Sequence, residues 1–275
     1  MRHTLITGRR AAMVRSPPPE LDLQPPSARE GRYMLGIDPV RLSESCPKST
    51  VLVRSLRMAL TGRPYFFNGQ RARLRVFQAI NERVRFDHYA ETGTFLGMTT
   101  HFLARTARRH GADVYSCEIN DRFFTIASRT VGNLGNVHLR HGDSVEFLQS
   151  LSPGLSDATN FVYLDAHWYD YLPLRDELRI LGRWRNTVVM IDDFKVPFDE
   201  RFGWDKYDEE REICLRHIAG SFGDRPVYFP DYPAQDEGDV PPRGYCVIAT
   251  SPTLQGVLDD IPLLRAHGHK TVPCG

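Results

Sequence analysis

The sequence predicts an α/β protein with helices on both faces of a doubly wound, mostly parallel sheet, and three observations carry that prediction. Short apolar runs alternate with amphipathic helical segments from about residue 70 to residue 250, the pattern of repeated strand–helix–strand units. Gly93 and Gly97 follow the first run at once, as a tight strand-to-helix turn requires. The ends of successive runs carry acids: Glu91, Glu118, Asp143 in its loop, Asp165, then Asp192 with Asp193. In open sheets of this kind ligands bind at those carboxyl ends.

Taken in order, residues 1–31 hold Arg2, Arg9, Arg10, Arg15 and Arg29 with five prolines in two clusters, a composition that packs no core. They are read as a mobile arm, with a cleaved transit peptide as the alternative. Residues 32–69 are irregular, broken by Pro39, Pro47 and Pro64, with one short apolar run at 51–60 that predicts a helix. The next helix spans 70–85, where Leu74, Phe77, Ile80 and Val84 form one stripe and Arg71, Arg73, Arg75 and Glu82 lie elsewhere. This helix is expected to cover a sheet edge.

Strands are predicted at 87–92, 113–118, 137–140, 161–166 and 187–192, with a final pair at 227–229 and 245–250. Helices are predicted between them at 99–109, 122–131, 144–151, 174–183 and 209–222. Right-handed crossovers then put helices on both faces. The chain shows no internal repeat and no second domain, so it divides into 1–31, 32–69, a central domain at 70–251 and a tail at 252–275.

Composition narrows the function classes. The five cysteines are scattered and form no C-x-x-C pair, which argues against a disulfide framework or structural zinc and fits a reducing, cytoplasmic compartment. No stretch approaches the roughly 20 apolar residues of a membrane span, and no signal peptide is evident. The net charge of +1 hides a split: residues 1–90 hold 16 basic and 7 acidic side chains, and the remainder 19 basic and 27 acidic. Acid therefore collects at the strand ends and in the segment 196–212, which disfavours a nucleic-acid partner. That segment also carries Phe198, Phe202, Trp204 and Tyr207 and reads either as a substrate lid or as a solvated acidic loop. The acidic, proline-containing loop 231–243 is a candidate for the opposite wall.

The first turn is not G-x-G-x-x-G, so a dinucleotide pyrophosphate cradle is poorly supported. Glu118 lies about twenty residues past the last glycine, where a carboxylate accepts hydrogen bonds from ribose hydroxyls. Together these features favour an adenosine-containing ligand without a bridging phosphate.

Five motifs now carry a resemblance: Glu-x-Gly-x-x-x-Gly-x-Thr at 91–99, Glu118-Ile119-Asn120, Gly142-Asp143-Ser144, Leu164-Asp165-Ala166-His167-Trp168 and Ile191-Asp192-Asp193. Over roughly 70–250 the chain resembles class I S-adenosylmethionine-dependent methyltransferases, most closely the catechol and macrocin O-methyltransferase type. The resemblance implies a seven-stranded, Rossmann-like sheet with an antiparallel last strand. It implies that Gly93, Thr94 and Gly97 face the methionine portion of S-adenosylmethionine and that Glu118 grips the ribose. Asp143 and Ser144 would border the adenine. Glu91 would sit under the methionine ammonium, its alternative role being a cap or ion pair.

Asp165, the residue shared between cofactor and metal sites, would join Asp192 and Asp193 around one Mg²⁺, since all-oxygen ligation favours that ion. The alternative is a set of caps without metal. An ion there would lower the pKa of a substrate hydroxyl and align it with the methyl group. The catechol type has Asn in place of Asp193, which leaves the third ligand open, while the triple-acid arrangement resembles the macrocin type. His167 is the first candidate base, with packing or substrate orientation as its alternative role. Lys195 is the second, with a solvated charge as its alternative. Tyr169 stands where the catechol type has a catalytic lysine. The expected partner is a small-molecule hydroxyl substrate, natural products included; a homo-oligomer is left open. Other readings are a hydroxylase-associated protein of an antibiotic pathway, a nicotinamide oxidoreductase and a catalytically silent binding module.

Overall fold

The computed structural model describes residues 65–167, 171–208 and 211–268. The predicted arm at 1–31 and the helix predicted at 51–60 lie outside the described residues, as does Tyr169.

A short 3₁₀ turn, Phe66–Gly69, leads into helix α1 (Arg71–Arg83). The central units follow as β1 (His88–Thr92), α2 (Met98–Arg108), β2 (Asp113–Glu118), α3 (Asp121–Val131), β3 (Val137–His141), α4 (Ser144–Leu155), β4 (Thr159–Leu164), α5 (Leu174–Leu181) and β5 (Asn186–Asp192). The remainder comprises α6 (Leu215–Ile218), β6 (Val227–Pro230), a 3₁₀ turn at Ala234–Glu237, β7 (Tyr245–Ala249), α7 (Pro252–Asp259) and β8 (Leu264–His267). Among the described residues no helix is long and apolar enough to cross a membrane.

The strands form one sheet in the order β3-β2-β1-β4-β5-β7-β6-β8. Strands β1 to β5 are parallel, and β7 lies antiparallel between β5 and β6. The sheet has one strand beyond the seven that the resemblance implies, because α7 turns the chain back and β8 pairs antiparallel with β6. The order in which successive strands are added reverses between β1 and β4, which opens a crevice at their carboxyl ends.

Strand residues alternate between two apolar layers, as a side-chain period of two demands. Phe161, Tyr163, Val188 and Met190 belong to the layer under α1 and α2. Val162, Leu164, Val189 and Ile191 belong to the layer under α4 and α5. Helix α1 lies over the sheet's centre rather than its edge: Phe77 packs on Tyr89 of β1 and Phe161 of β4. Its buried stripe is Ala72, Arg73, Val76, Phe77 and Ile80, so Arg73 is a core residue and not a surface charge.

Two other segments differ from expectation. Of the helix expected at 209–222, the described residues 211–222 form only the single turn of α6. Upstream the chain is drawn into an antiparallel bridge between Lys206 and Glu212, and Ile213 N–H donates to Asp205 C=O. The segment around Phe202 and Ile213 is buried and bonded to the strand ends, so it forms a fixed wall. The loop 231–243 clamps α1: Glu237, fully buried, accepts the Ala72 and Arg73 backbone N–H groups at 2.9 and 3.1 Å. A carboxylate there satisfies unpaired donors at a helix N-terminus.

Candidate functional site

A cavity of about 570 Å³ opens at the carboxyl ends of β1, β2 and β4, lined in part by Gly93, Phe95, Glu118, Ile119, Ser144 and Asp165. Such a volume accommodates a ligand of cofactor size. Of the residues expected to bind cofactor, Gly93, Glu118, Ser144 and Asp165 line it; Glu91, Thr94, Gly97 and Asp143 stand behind it.

Gly93 has φ +82°, and a Cβ there would sit 2.3 Å from the Asp165 carbonyl oxygen. Only glycine permits this approach of the β1 turn to the end of β4. The Glu118 carboxylate accepts the backbone N–H groups of Phe95 and Asn120, at 2.7 and 2.9 Å, on different oxygens. Each oxygen keeps a second acceptor position. Burial raises the pKa of Glu118 against these backbone hydrogen bonds. Asp143 caps α4, accepting from the Val145 and Glu146 N–H groups, and also bonds the Tyr171 hydroxyl. Gly97, at φ +80°, precedes α2.

Glu91 points away from the cavity. Its carboxyl accepts the Thr100 hydroxyl and, at 3.1 Å, the Ser116 hydroxyl, which in turn lies 2.6 Å from Thr94 Oγ1. Burial pushes its pKa up to about 8, although the two hydroxyls work against the shift. In this polar pocket between β1, β2 and α2, Glu91 is held by two hydroxyls.

A second constellation adjoins the cavity at Asp165. Asp192 is fully buried and bonds Arg73 Nη1, itself fully buried, and the Asp193 N–H on one oxygen; on the other it accepts from the Tyr163 hydroxyl and Asn68 Nδ2. All four acceptor positions are thereby used; Asn68 Nδ2 also donates to Asp165 Oδ2 at 3.1 Å and so joins Asp192 to Asp165, while the Asp192 carboxylate stands apart from that of Asp193. The cause is strand parity: Asp192 continues the Val188–Met190 face toward Tyr163 and α1. Asp193 takes the left-handed conformation, φ 51°, and turns the other way. Its Oδ1 is held by Arg243, which also bonds Asp205.

His167 is 2% exposed, and its Nε2 lies 3.9 Å from Asp165 Oδ1 and 3.7 Å from Asp193 Oδ2. Within hydrogen-bonding distance that nitrogen has no partner. Asp165, His167 and Asp193 are the described residues whose ligand atoms converge closely enough to hold an ion. Burial and the neighbouring carboxylates of Asp192 and Asp193 push Asp165 well up. Burial opposes ionisation of Asp193, but His167 and Arg243 outweigh it and hold this carboxyl below the usual range. Burial also disfavours the His167 cation, and Asp193 overrides it, raising the imidazole pKa. The Tyr207 hydroxyl donates to the His167 carbonyl at 2.6 Å and ties the fixed wall to the cluster.

Lys195 is not in this constellation. Its ammonium lies 3.5 Å from Glu212 and over the Trp204 ring. Sequence reasoning missed Asn68, Arg73, Tyr163 and Arg243. For Arg73 a signal existed: with Phe77 and Ile80 it completes an i, i+4, i+7 stripe. Nothing local marks Asn68 or Arg243, whose partners are distant in the chain.

Residues 90–194 match the family model of a methyltransferase domain. No curated protein matches the chain in sequence. Among solved structures, an O-methyltransferase from Bacillus cereus in complex with SAH shares 17% identity over 80% of this chain and 100% of that one, with a TM-score of 0.49. A SAM-dependent methyltransferase from Aquifex aeolicus shares 13% identity over 78% of this chain and 97% of that one, with a TM-score of 0.44.

Proposed function

We propose that this chain, whose residues 90–194 match the family model of a methyltransferase domain, uses S-adenosylmethionine for methyl transfer to a hydroxyl oxygen of a small molecule. The observation that carries this reading is the position of Asp165, which lines the cavity and also belongs to the cluster with His167 and Asp193. The cofactor cavity and a set of proton-accepting or cation-binding atoms thus meet at one side chain.

When bound, S-adenosylmethionine would supply a methyl carbon on a sulfonium, open to in-line attack by an oxygen nucleophile with the neutral thioether as leaving group. Glu118 offers its remaining lone pairs to paired hydroxyls of the ribose, while Phe95 and Asn120 hold the carboxylate in place. Gly93 lets the β1 turn close against the Asp165 backbone, where a Cβ would clash, and so shapes the cavity that it lines. Phe95, Ile119 and Phe123 provide apolar cavity surface for a flat heterocycle. At the acceptor end, His167 Nε2 and the free oxygens of Asp165 and Asp193 are the groups toward which the hydroxyl gives up its proton or charge. Mg²⁺ assistance through Asp165, Asp192 and Asp193 does not fit, because Asp192 is saturated by four donors. The atoms left for a divalent ion, which would lower the hydroxyl pKa, are those of Asp165, His167 and Asp193.

Calorimetric titration with S-adenosylmethionine tests the reading. The wild-type protein should bind, and Glu118→Ala should weaken binding at least about tenfold by removing two charge-assisted acceptors. Binding of NADH with no affinity for S-adenosylmethionine would overturn it in favour of an oxidoreductase. With binding established, a panel of phenols, sugars and aliphatic alcohols identifies the acceptor class by methyl transfer from labelled cofactor.

A further inference from the structure

At the ends of β4 and β5, three side chains each hold one atom toward a common point and are fixed by their other contacts. Asp165 Oδ2 accepts Asn68 Nδ2 at 3.1 Å, and its Oδ1 faces His167. Asp193 Oδ1 is held by Arg243 Nε, and its Oδ2 faces His167. His167 is anchored through its carbonyl by Tyr207, and its Nε2 is buried without a hydrogen-bond partner. An imidazole nitrogen left bare in a protein interior is costly unless something binds it. Contacts that lock the far oxygen of each carboxylate are the mark of a prepared metal site.

From this geometry we infer that Asp165 Oδ1, His167 Nε2 and Asp193 Oδ2 form a three-ligand site for one divalent transition-metal ion, with nitrogen ligation, and that the site does not select Mg²⁺. The ligand atoms lie within 4.8 Å of one another, a spread that one ion with bonds of about 2.0–2.2 Å can draw together. Mg²⁺ prefers an all-oxygen shell, whereas imidazole suits Mn²⁺, Fe²⁺, Co²⁺ and Zn²⁺. The third carboxylate that would make the shell richer in oxygen, Asp192, is taken up by Arg73, Tyr163, Asn68 and the Asp193 N–H. Asp165 and Ala166 border the cavity, so the ion site adjoins the space assigned to the cofactor. A role for the ion in activating a hydroxyl rests on the proposed methyl transfer; the binding of the ion does not.

The test uses the full chain, stripped of metal and titrated with Mn²⁺ alone under electron paramagnetic resonance. One Mn²⁺ should bind per chain, pulsed spectra should show coupling to one nitrogen, and about a hundredfold excess of Mg²⁺ should fail to displace it. In His167→Gln the nitrogen coupling should vanish and Mn²⁺ affinity should fall roughly tenfold or more. An oxygen-only spectrum for the wild type, displacement by equimolar Mg²⁺, or no binding up to about 1 mM Mn²⁺ would each overturn the site. The wild-type spectrum decides the matter even if the variant fails to fold. Titration of S-adenosylmethionine on the same sample separates the two proposals, since cofactor binding without Mn²⁺ binding rejects only the metal site.

Discussion

Arg73 and Asp192 form an ion pair in which both side chains are wholly shielded from water. Its partners come from every side: Tyr163 and Asn68 bond the acid, while the carbonyls of Arg243 and Gly244 accept from the guanidinium. The pair ties α1 to the strand ends and withdraws one of the acids from the cluster beside the cavity.

Breaking this pair from one side leaves a buried charge without compensation. Arg73→Met should therefore destabilise the protein by about 3–5 kcal/mol, measured by urea denaturation. A loss below about 1 kcal/mol would mean that Asp192 is hydrated or protonated, contrary to the arrangement described.

Gly93→Ala combines a left-handed backbone with a Cβ driven into the Asp165 carbonyl. The expected cost is about 2 kcal/mol or more, together with a loss of S-adenosylmethionine affinity, because relief requires the β1 turn and the end of β4 to separate. Calorimetry and thermal unfolding of the same variant would show both effects.

Glu91 provides a pH signature. Its folded pKa, about 8, lies above the ordinary 4.5 because burial favours the neutral acid. The folded chain therefore binds more protons than the unfolded chain between those values. The resulting stabilisation is complete below about pH 4.5. It declines as pH rises through the window, with a limiting slope of about 1.4 kcal/mol per unit. Glu91→Gln should remove this contribution and flatten the stability profile of the ligand-free protein between pH 5 and 8. An unchanged slope in denaturation midpoints across that range would show that Glu91 is ionised when folded.

Lys195→Ala should leave methyl transfer within about twofold of wild type. The ammonium is engaged by Glu212 and Trp204 and lies outside the cavity lining. Initial rates at saturating cofactor provide the measurement. A drop of a hundredfold or more, on the order of 2.7 kcal/mol in transition-state stabilisation, would restore Lys195 as a proton acceptor.

The parallel sheet, the glycine turn after β1 and the acids at the strand ends were legible in the chain because each is a local pattern. Period-two apolar runs, a glycine that must adopt positive φ, and a carboxylate placed about twenty residues later require no knowledge of distant contacts. Glu118 and Gly93, singled out from spacing, both line the cavity. What each acid does was not legible. Asp192 and Asp193 are neighbours in the chain, yet strand parity and a left-handed turn send them to different partners: Arg73, 119 residues from Asp192, and Arg243, 50 residues from Asp193. Glu91 was readable as a strand-end acid, but only packing against Thr100 and Ser116 turned it from the cavity. A side chain's ionic partner depends on which elements the fold brings together, and desolvation then decides its charge. Those two quantities are set by tertiary structure, and they distinguish the acid that supports the fold from the acids that face the cavity.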